Sequence, residues 1–309
     1  MTLINLTQSI KEILFEEGFH KVGITSFENP SKSNLLEKWL INGFQGDMSW
    51  MENHKEKRKN ILQFFPETKS IISVAHNYYS PEKHSNRTSV AKISRYAWGE
   101  DYHRIMKKKL KKALIEIKKL EKINGRICVD TAPIMEKLWA EKAGIGWQGK
   151  HTNIITKEFG SWVFLGEILI DRELVYDNPV EDFCGKCTKC IDFCPTNAII
   201  APYVLDSNRC ISYLTIEYGD KPIPKNLAPK MQNWIFGCDI CQDVCPWNKF
   251  QKTTDEQRYF PNKANVKSEL KELENIAEKE YTLRFKKSPL SRLGWKNFIR
   301  NVKTVKNSQ

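Results

Sequence analysis

Eight of the nine cysteines fall into two sets whose spacing suits metal chemistry. Cys184, Cys187, Cys190 and Cys194-Pro195 give C-x2-C-x2-C-x3-C-P without deviation. Cys238, Cys241 and Cys245-Pro246 repeat the last three positions of that pattern. Ile235 stands where its first cysteine would fall, and Cys210, well upstream, is the candidate substitute. Thiolates at this spacing hold cubane iron–sulfur clusters, and eight of them are enough for two four-iron clusters.

Where two such motifs share a chain, the fourth cysteine of each reaches across to the other cluster. One cluster would then take Cys184, Cys187, Cys190 and Cys245, and the other Cys194, Cys210, Cys238 and Cys241. Zinc is the competing reading, but structural zinc uses two separated C-x2–4-C pairs or mixed Cys and His ligands. Disulfides compete less well. Met1 to Ser9 is polar and lacks the apolar run of a signal peptide, and thiols of a cytoplasmic chain more often bind metal than bridge. Cys128 lies alone on an apolar run and reads as a small buried hydrophobe.

The elements that must position these groups come from a chain of 309 residues, room for one large domain and a small one or for two of middling size. Hydrophobic residues, at 40%, support a core, and no apolar run is long enough to span a membrane. The net charge of +12 points to a polyanion, either nucleic acid or an anionic surface. The stretch from Tyr281 to Gln309 has no acidic residue and interleaves Arg284, Arg292, Lys296 and Arg300 with Phe285, Trp295 and Phe298. It reads either as a basic helix packed on the body or as a phosphate-contacting surface.

Periodicity predicts helices over Thr7–Glu17, Leu35–Ile41 (behind a Ser33 or Asn34 cap) and Tyr102–Leu120. It predicts strands at Val22–Thr25, Ser70–His76 and Arg126–Asp130, and a hairpin of Asn153–Thr156 with Trp162–Ile170 around Phe159-Gly160. Alternating strands and helices through about Glu181 imply an α/β or α+β domain. Asp130-Thr131-Ala132-Pro133 leads from a strand end towards a helix that Gly144 stops, and from spacing alone Asp130 is placed either to cap that helix or to serve a role the spacing does not fix. The glycine-rich loop Gly144–Asn153 lacks the Walker spacing, but its amides, with Lys150, Thr152 and Asn153, suit a phosphate or the amides at a ring edge. Asp101-x-His103 opens the D-x-H-x-x-G pattern of a histidine that takes cobalt from below, yet Met106 holds the glycine position and the match reads as chance.

Taken together the chain resembles the epoxyqueuosine reductase family. The resemblance rests on Arg95-Tyr96-Ala97-Trp98-Gly99, on Asp101-Tyr102-His103, and on Asp130-Thr131-Ala132-Pro133 running into Gly146-Trp147-Gln148-Gly149-Lys150-His151-Thr152-Asn153. It continues through Gly160-Ser161-Trp162, Leu165-Gly166-Glu167, the cysteine motifs, Arg209-Cys210-Ile211-Ser212-Tyr213 and Ser288-Pro289-Leu290. His151 departs from the smaller polar residue expected in the loop, and the chain ends before the C-terminal helical repeats that many members carry.

The resemblance implies an α+β fold with α/β character: a cobalamin-binding domain related to reductive dehalogenases over 1–181, a ferredoxin-like domain with two [4Fe-4S] clusters over 182–250, and a basic helical segment over 251–309 packed on the body. It implies a cytoplasmic enzyme that reduces epoxyqueuosine to queuosine in tRNA. An electron donor that the sequence does not identify would feed it, and its basic surface would hold the anticodon stem-loop. Asp130 would be the proton donor, its pKa raised by burial. Arg58, Tyr96, Lys150, Thr152 and Asn153 would contact a base-off cobalamin. A reductive dehalogenase and a plain two-cluster electron carrier are the alternatives. The first normally has a twin-arginine export signal, absent here, and the second needs neither Asp130 nor the glycine loop.

Overall fold

The β-branched run Ser70–Asn77 becomes an inner strand of a four-stranded sheet, with all eight residues buried. In this computed structural model, which describes residues 1–28 and 31–308, it pairs with Lys21–Ser26 on one side and Val163–Ile170 on the other. Gly125–Cys128 completes the sheet against Val163–Ile170. Every pairing is antiparallel, so the alternation of helices and strands yields an α+β layer and not a parallel, doubly wound sheet.

Helices cover both faces. Leu3–Glu16 and Tyr102–Leu120 share a core with one face, burying Leu6, Ile10 and Leu14 from the first and Ile105, Met106, Leu110, Ala113 and Ile117 from the second. Each such Leu or Ile contributes about 1.5–3 kcal/mol on burial. Asp101 starts the longer helix by accepting the His103 backbone N–H at 3.0 Å, a side-chain cap on otherwise orphaned donors. On the other face Trp139, from the short helix Glu136–Lys142, packs with Ile71, Cys128 and Leu169. Cys128 is a buried core residue, 1% exposed.

The expected hairpin does not form. Ile154–Ile155 pairs instead with Trp147–Gln148, and only a Thr156–Gly160 bridge ties it towards Val163–Ile170. Gly146 allows this, because a Cβ there would sit 2.1 Å from the Ile155 carbonyl oxygen.

The short helices Lys189–Asp192 and Ile240–Asp243, one inside each cysteine motif, contact each other. The strand Trp234–Phe236 that precedes the second motif pairs with Lys92–Ile93 of the first segment. The C-terminal helices Glu278–Phe285 and Trp295–Lys306 close a further core around Trp98, Leu214, Ile235 and Phe236. There the buried Asn301 amide donates to the carbonyls of Thr215 and Ile235 at 2.8 and 2.9 Å. The cysteine-bearing segment is thus clamped between earlier and later parts of the chain. No helix among the described residues is long and apolar enough to cross a membrane.

Candidate active site

A cleft of about 450 Å³ has Asp130 and four cysteines, Cys194, Cys210, Cys238 and Cys241, among its lining residues. Aromatic surface comes from a stack of three rings: Phe164 lies 4.2 Å from Tyr102 on one side and 4.2 Å from Tyr78 on the other. Tyr96, Thr152, Asn153, Lys137 and His151 also line it.

Asp130 follows the edge strand Gly125–Cys128 and takes the left-handed conformation, φ 54°, uncommon for a residue with a side chain. It does not cap a helix. The following helix begins only at Glu136, behind Met135, and the Asp130 carboxylate turns the other way, where Oδ2 lies 2.8 Å from His103 Nε2. The second imidazole nitrogen, Nδ1, is 2.7 Å from Asp101 Oδ1. Arg292 donates to Asp101 Oδ2 at 2.9 Å and lies 3.0 Å from His103 Nε2. Four residues from three separate stretches of the chain therefore form one network. Asp101 and His103, whose pattern reads as chance in the sequence, are part of it; the signal available was a carboxylate and an imidazole two residues apart at a helix start.

The electrostatics follow from this geometry. Burial pushes the Asp130 carboxyl up, but the hydrogen bond and positive charge of His103, aided by Arg292 and Tyr102, outweigh it and hold the group below its ordinary value. The rise expected from burial alone is reversed. Burial lowers His103, but Asp101 and Asp130 more than offset it and the imidazole titrates above its ordinary value. Half of the Asp130 side-chain surface still faces the cleft, whereas His103 is 7% exposed. The imidazole is covered and the carboxylate is presented.

The structure brings some of the other candidates to this cleft and not others. Tyr96, Thr152 and Asn153 line it, and Lys137 donates to Asn153 Oδ1 at 3.2 Å. Arg58 lies behind the wall, its guanidinium 3.4 Å from the carbonyls of Ala132 and Ile134. Lys150 points elsewhere, donating to the carbonyls of Gly185 and Cys187 at 2.6 and 3.0 Å. His151 is 4% exposed, and its Nδ1 accepts the Asn153 N–H at 3.2 Å. Its proton therefore sits on Nε2, and the ring offers the site a donor and no lone pair.

All nine cysteines are free thiols. Cys184, Cys187, Cys190 and Cys245 line a second, smaller pocket with Lys150, His151, Phe183 and Trp247. The other four line the main cleft. Burial, then the proximity of Cys245, Cys184 and Cys187, pushes the Cys190 thiol up to about 11. Burial, then Cys210, Cys194 and Cys190, raises Cys241 well above the ordinary thiol value. Soft sulfur donors crowded in fours, and mutually repulsive as bare anions, suit a cationic iron cluster.

Residues 58–131 match the family described as epoxyqueuosine reductase QueG, DUF1730, and residues 183–248 match the 4Fe-4S double cluster binding domain. An epoxyqueuosine reductase from Atelocyanobacterium thalassa is 45% identical over 308 residues, covering 97% of this chain and 99% of its own length. A crystal structure of epoxyqueuosine reductase with an epoxyqueuosine-modified tRNA-Tyr stem loop is 31% identical and superposes with a TM-score of 0.89, over 97% of this chain and 80% of that one. The Bacillus subtilis epoxyqueuosine reductase, solved with an aspartate catalytic loop swung out of its active site, gives a TM-score of 0.87 at 30% identity, over 97% of this chain and 81% of that one.

Proposed function

We propose that this chain, which belongs to the epoxyqueuosine reductase family and is an oxidoreductase, reduces epoxyqueuosine to queuosine at the wobble position of tRNA, with two four-iron clusters, cobalamin and Asp130 as proton donor. The observation that carries this reading is one cleft lined by both the Asp130 carboxylate and the thiols of Cys194, Cys210, Cys238 and Cys241. A proton source and an electron path then reach the same substrate.

The donor sets fit the groups assigned to them. Cys184, Cys187, Cys190 and Cys245 would hold one cluster, and Cys194, Cys210, Cys238 and Cys241 the other, against the cleft. The aromatic stack with Tyr96 gives a flat apolar bed, and Thr152, Asn153 and Lys137 supply polar partners suited to the amides of a corrin. Arg58 and Lys150 would support the Asp130 loop and the cluster wall respectively. His151, whose Nδ1 accepts the Asn153 N–H, would offer a bound cofactor an Nε2–H donor. Cobalamin, when bound, would supply a strongly reducing nucleophile for the epoxide carbon.

The chain's own residues would manage the protons. Conversion of an epoxide to an alkene takes two electrons and two protons and releases the oxygen as water. Opening the ring leaves an alkoxide, which must be protonated. Asp101 fixes the proton on His103 Nδ1, so Nε2 is the position that exchanges. The shared proton passes from Nε2 to Asp130 Oδ2 and on to the alkoxide, and the covered imidazole replaces what the exposed carboxylate gives away. Arg292, against both Asp101 and Nε2, favours return of the imidazole to its neutral form.

In this reading residues 1–181 are the catalytic unit, 182–250 carry the clusters and 251–309 buttress both, in a cytoplasmic enzyme. The anticodon stem-loop would lie across exposed lysines, among them Lys296 and Lys303, seven residues apart on the Trp295–Lys306 helix. The test is anaerobic reconstitution with iron, sulfide and cobalamin, followed by incubation with epoxyqueuosine-tRNA and a chemical reductant. Mass spectrometry of digested tRNA should show queuosine only when cobalamin is present. Conversion without cobalamin, or a protein that merely passes electrons onward, would contradict the assignment.

A further inference from the structure

The left-handed turn at Asp130 is held by a carboxyl group that the proton relay does not use. The Asp130 backbone N–H donates to Glu136 Oε1 at 2.5 Å, from the first residue of the Glu136–Lys142 helix. Around this bond the loop is tightly folded on itself: Thr131 N–H bonds the Val129 carbonyl at 2.6 Å and Ile134 N–H bonds the Ala132 carbonyl at 2.8 Å. The acceptor is a side chain from six residues ahead, so this bond ties the turn to the start of the following helix.

Glu136 itself stands over a second carboxyl. Glu167, on the strand Val163–Ile170, is wholly buried; its Oε1 has only Ser73 Oγ, at 3.4 Å, and its Oε2 has no protein partner. A carboxylate with so little compensation does not persist as an anion; burial, followed by the charge of Glu136, raises it well above its ordinary value. Burial, followed by the charge of Asp130, also pushes Glu136 up to about 7. Arg58, Lys137 and His103 are the cations that face this group. A Glu136 carboxyl accepts the Asp130 N–H whether or not it carries a proton, and a proton on it avoids a second full anion beside the Asp130 carboxylate.

Resting on the reading of Asp130 as proton donor, we propose that Glu136 is a positioning residue, whose carboxyl latches the Asp130 backbone in the turn that aims its side chain at His103 and the cleft. Glu136→Gln preserves the latch, because the amide oxygen still accepts the Asp130 N–H. Glu136→Ala removes it and leaves the Asp130 carboxyl chemically intact.

Hydrogen–deuterium exchange of residues 128–135 tests the latch without reference to catalysis. Glu136→Ala should raise exchange there at least about tenfold, with the clusters' absorbance unchanged, while Glu136→Gln should exchange like the natural protein. Single-turnover reduction of epoxyqueuosine-tRNA should fall about tenfold or more in Glu136→Ala at unchanged KM, and recover within about threefold in Glu136→Gln. Unchanged exchange in Glu136→Ala would overturn the latch. Faster exchange with full turnover would overturn the positioning role if Asp130→Asn is inactive; if Asp130→Asn is also active, the fault lies in the choice of Asp130 as donor.

Discussion

His103 Nε2 stands 2.8 Å from Asp130 Oδ2, and under the proposed function this bond would make a half-exposed carboxylate a renewable acid. A solitary carboxylic acid in a cleft must be reprotonated from solvent after each turnover. In the proposed relay the replacement proton would come from a buried imidazole whose other nitrogen lies 2.7 Å from Asp101 Oδ1.

Removal of the imidazole should therefore slow turnover without removing the acid. His103→Gln is expected to lose roughly a hundredfold in single-turnover rate, the lower end for general acid–base assistance. Cluster content should be unaffected. A variant as fast as the natural protein would mean that solvent reprotonates Asp130 directly.

The same pair sets a pH dependence. His103 titrates above its ordinary value of 6.5, so its contribution to stability is complete below 6.5 and is lost as pH rises through the raised folded value. Asp130 and Asp101, held below the ordinary 3.8, contribute above 3.8 and lose that contribution as pH falls through their lowered values. Turnover should decline as pH rises through the raised His103 value, and His103→Gln should abolish that limb. Single-turnover rates across pH, with cluster absorbance as a control for integrity, measure both.

Cys210 lines the main cleft, not the smaller pocket. Cys210→Ala should lower iron from about eight to about four per chain, as expected for loss of one of two four-iron clusters. Iron analysis with electron paramagnetic resonance distinguishes this from loss of both.

The basic C-terminal segment divides into structural and exposed cations. Arg300 is tied to the carbonyls of Leu214, Gly219 and Lys221, and Arg292 belongs to the Asp130 network. Arg300→Gln should chiefly lower stability, by about 1–3 kcal/mol if those acceptors are left unsatisfied. Lys296 and Lys303 are exposed, and replacing both with Gln should flatten the salt dependence of tRNA binding by roughly 0.7–0.9 log units per lost phosphate contact. An unchanged slope would move the contact surface to the outward lysines of the Tyr102–Leu120 helix.

What could be read from the sequence was whatever depends on local spacing. The Tyr102–Leu120 helix follows from periodicity, because the residues that set the period fill the core, and the strand expected over Ser70–His76 follows from an apolar β-branched run that is buried throughout. Grouping the cysteines needed only their spacing and a rule of exchange between motifs. Pairing was not legible: Ile154–Ile155 joins Trp147–Gln148 because Gly146 admits a close backbone, which no alternation pattern reports. The role of Asp101 and His103 was hidden because it depends on Asp130 and Arg292, brought in from 27 and 189 residues beyond His103. Asp130 resembled a cap because a polar residue before a helix usually is one; its left-handed backbone, held by Glu136, turns the side chain away from that duty.

Asp130→Asn tests the account most directly. The substitution keeps shape and hydrogen-bonding capacity but removes the transferable proton, and loss of a general acid costs about a hundredfold to ten-thousandfold in rate. The variant should fold, hold both clusters and bind cobalamin, yet barely convert epoxyqueuosine-tRNA when products are followed by mass spectrometry on the sample that gave the spectra. Near-normal conversion in that sample would contradict the assignment of Asp130 as the acid.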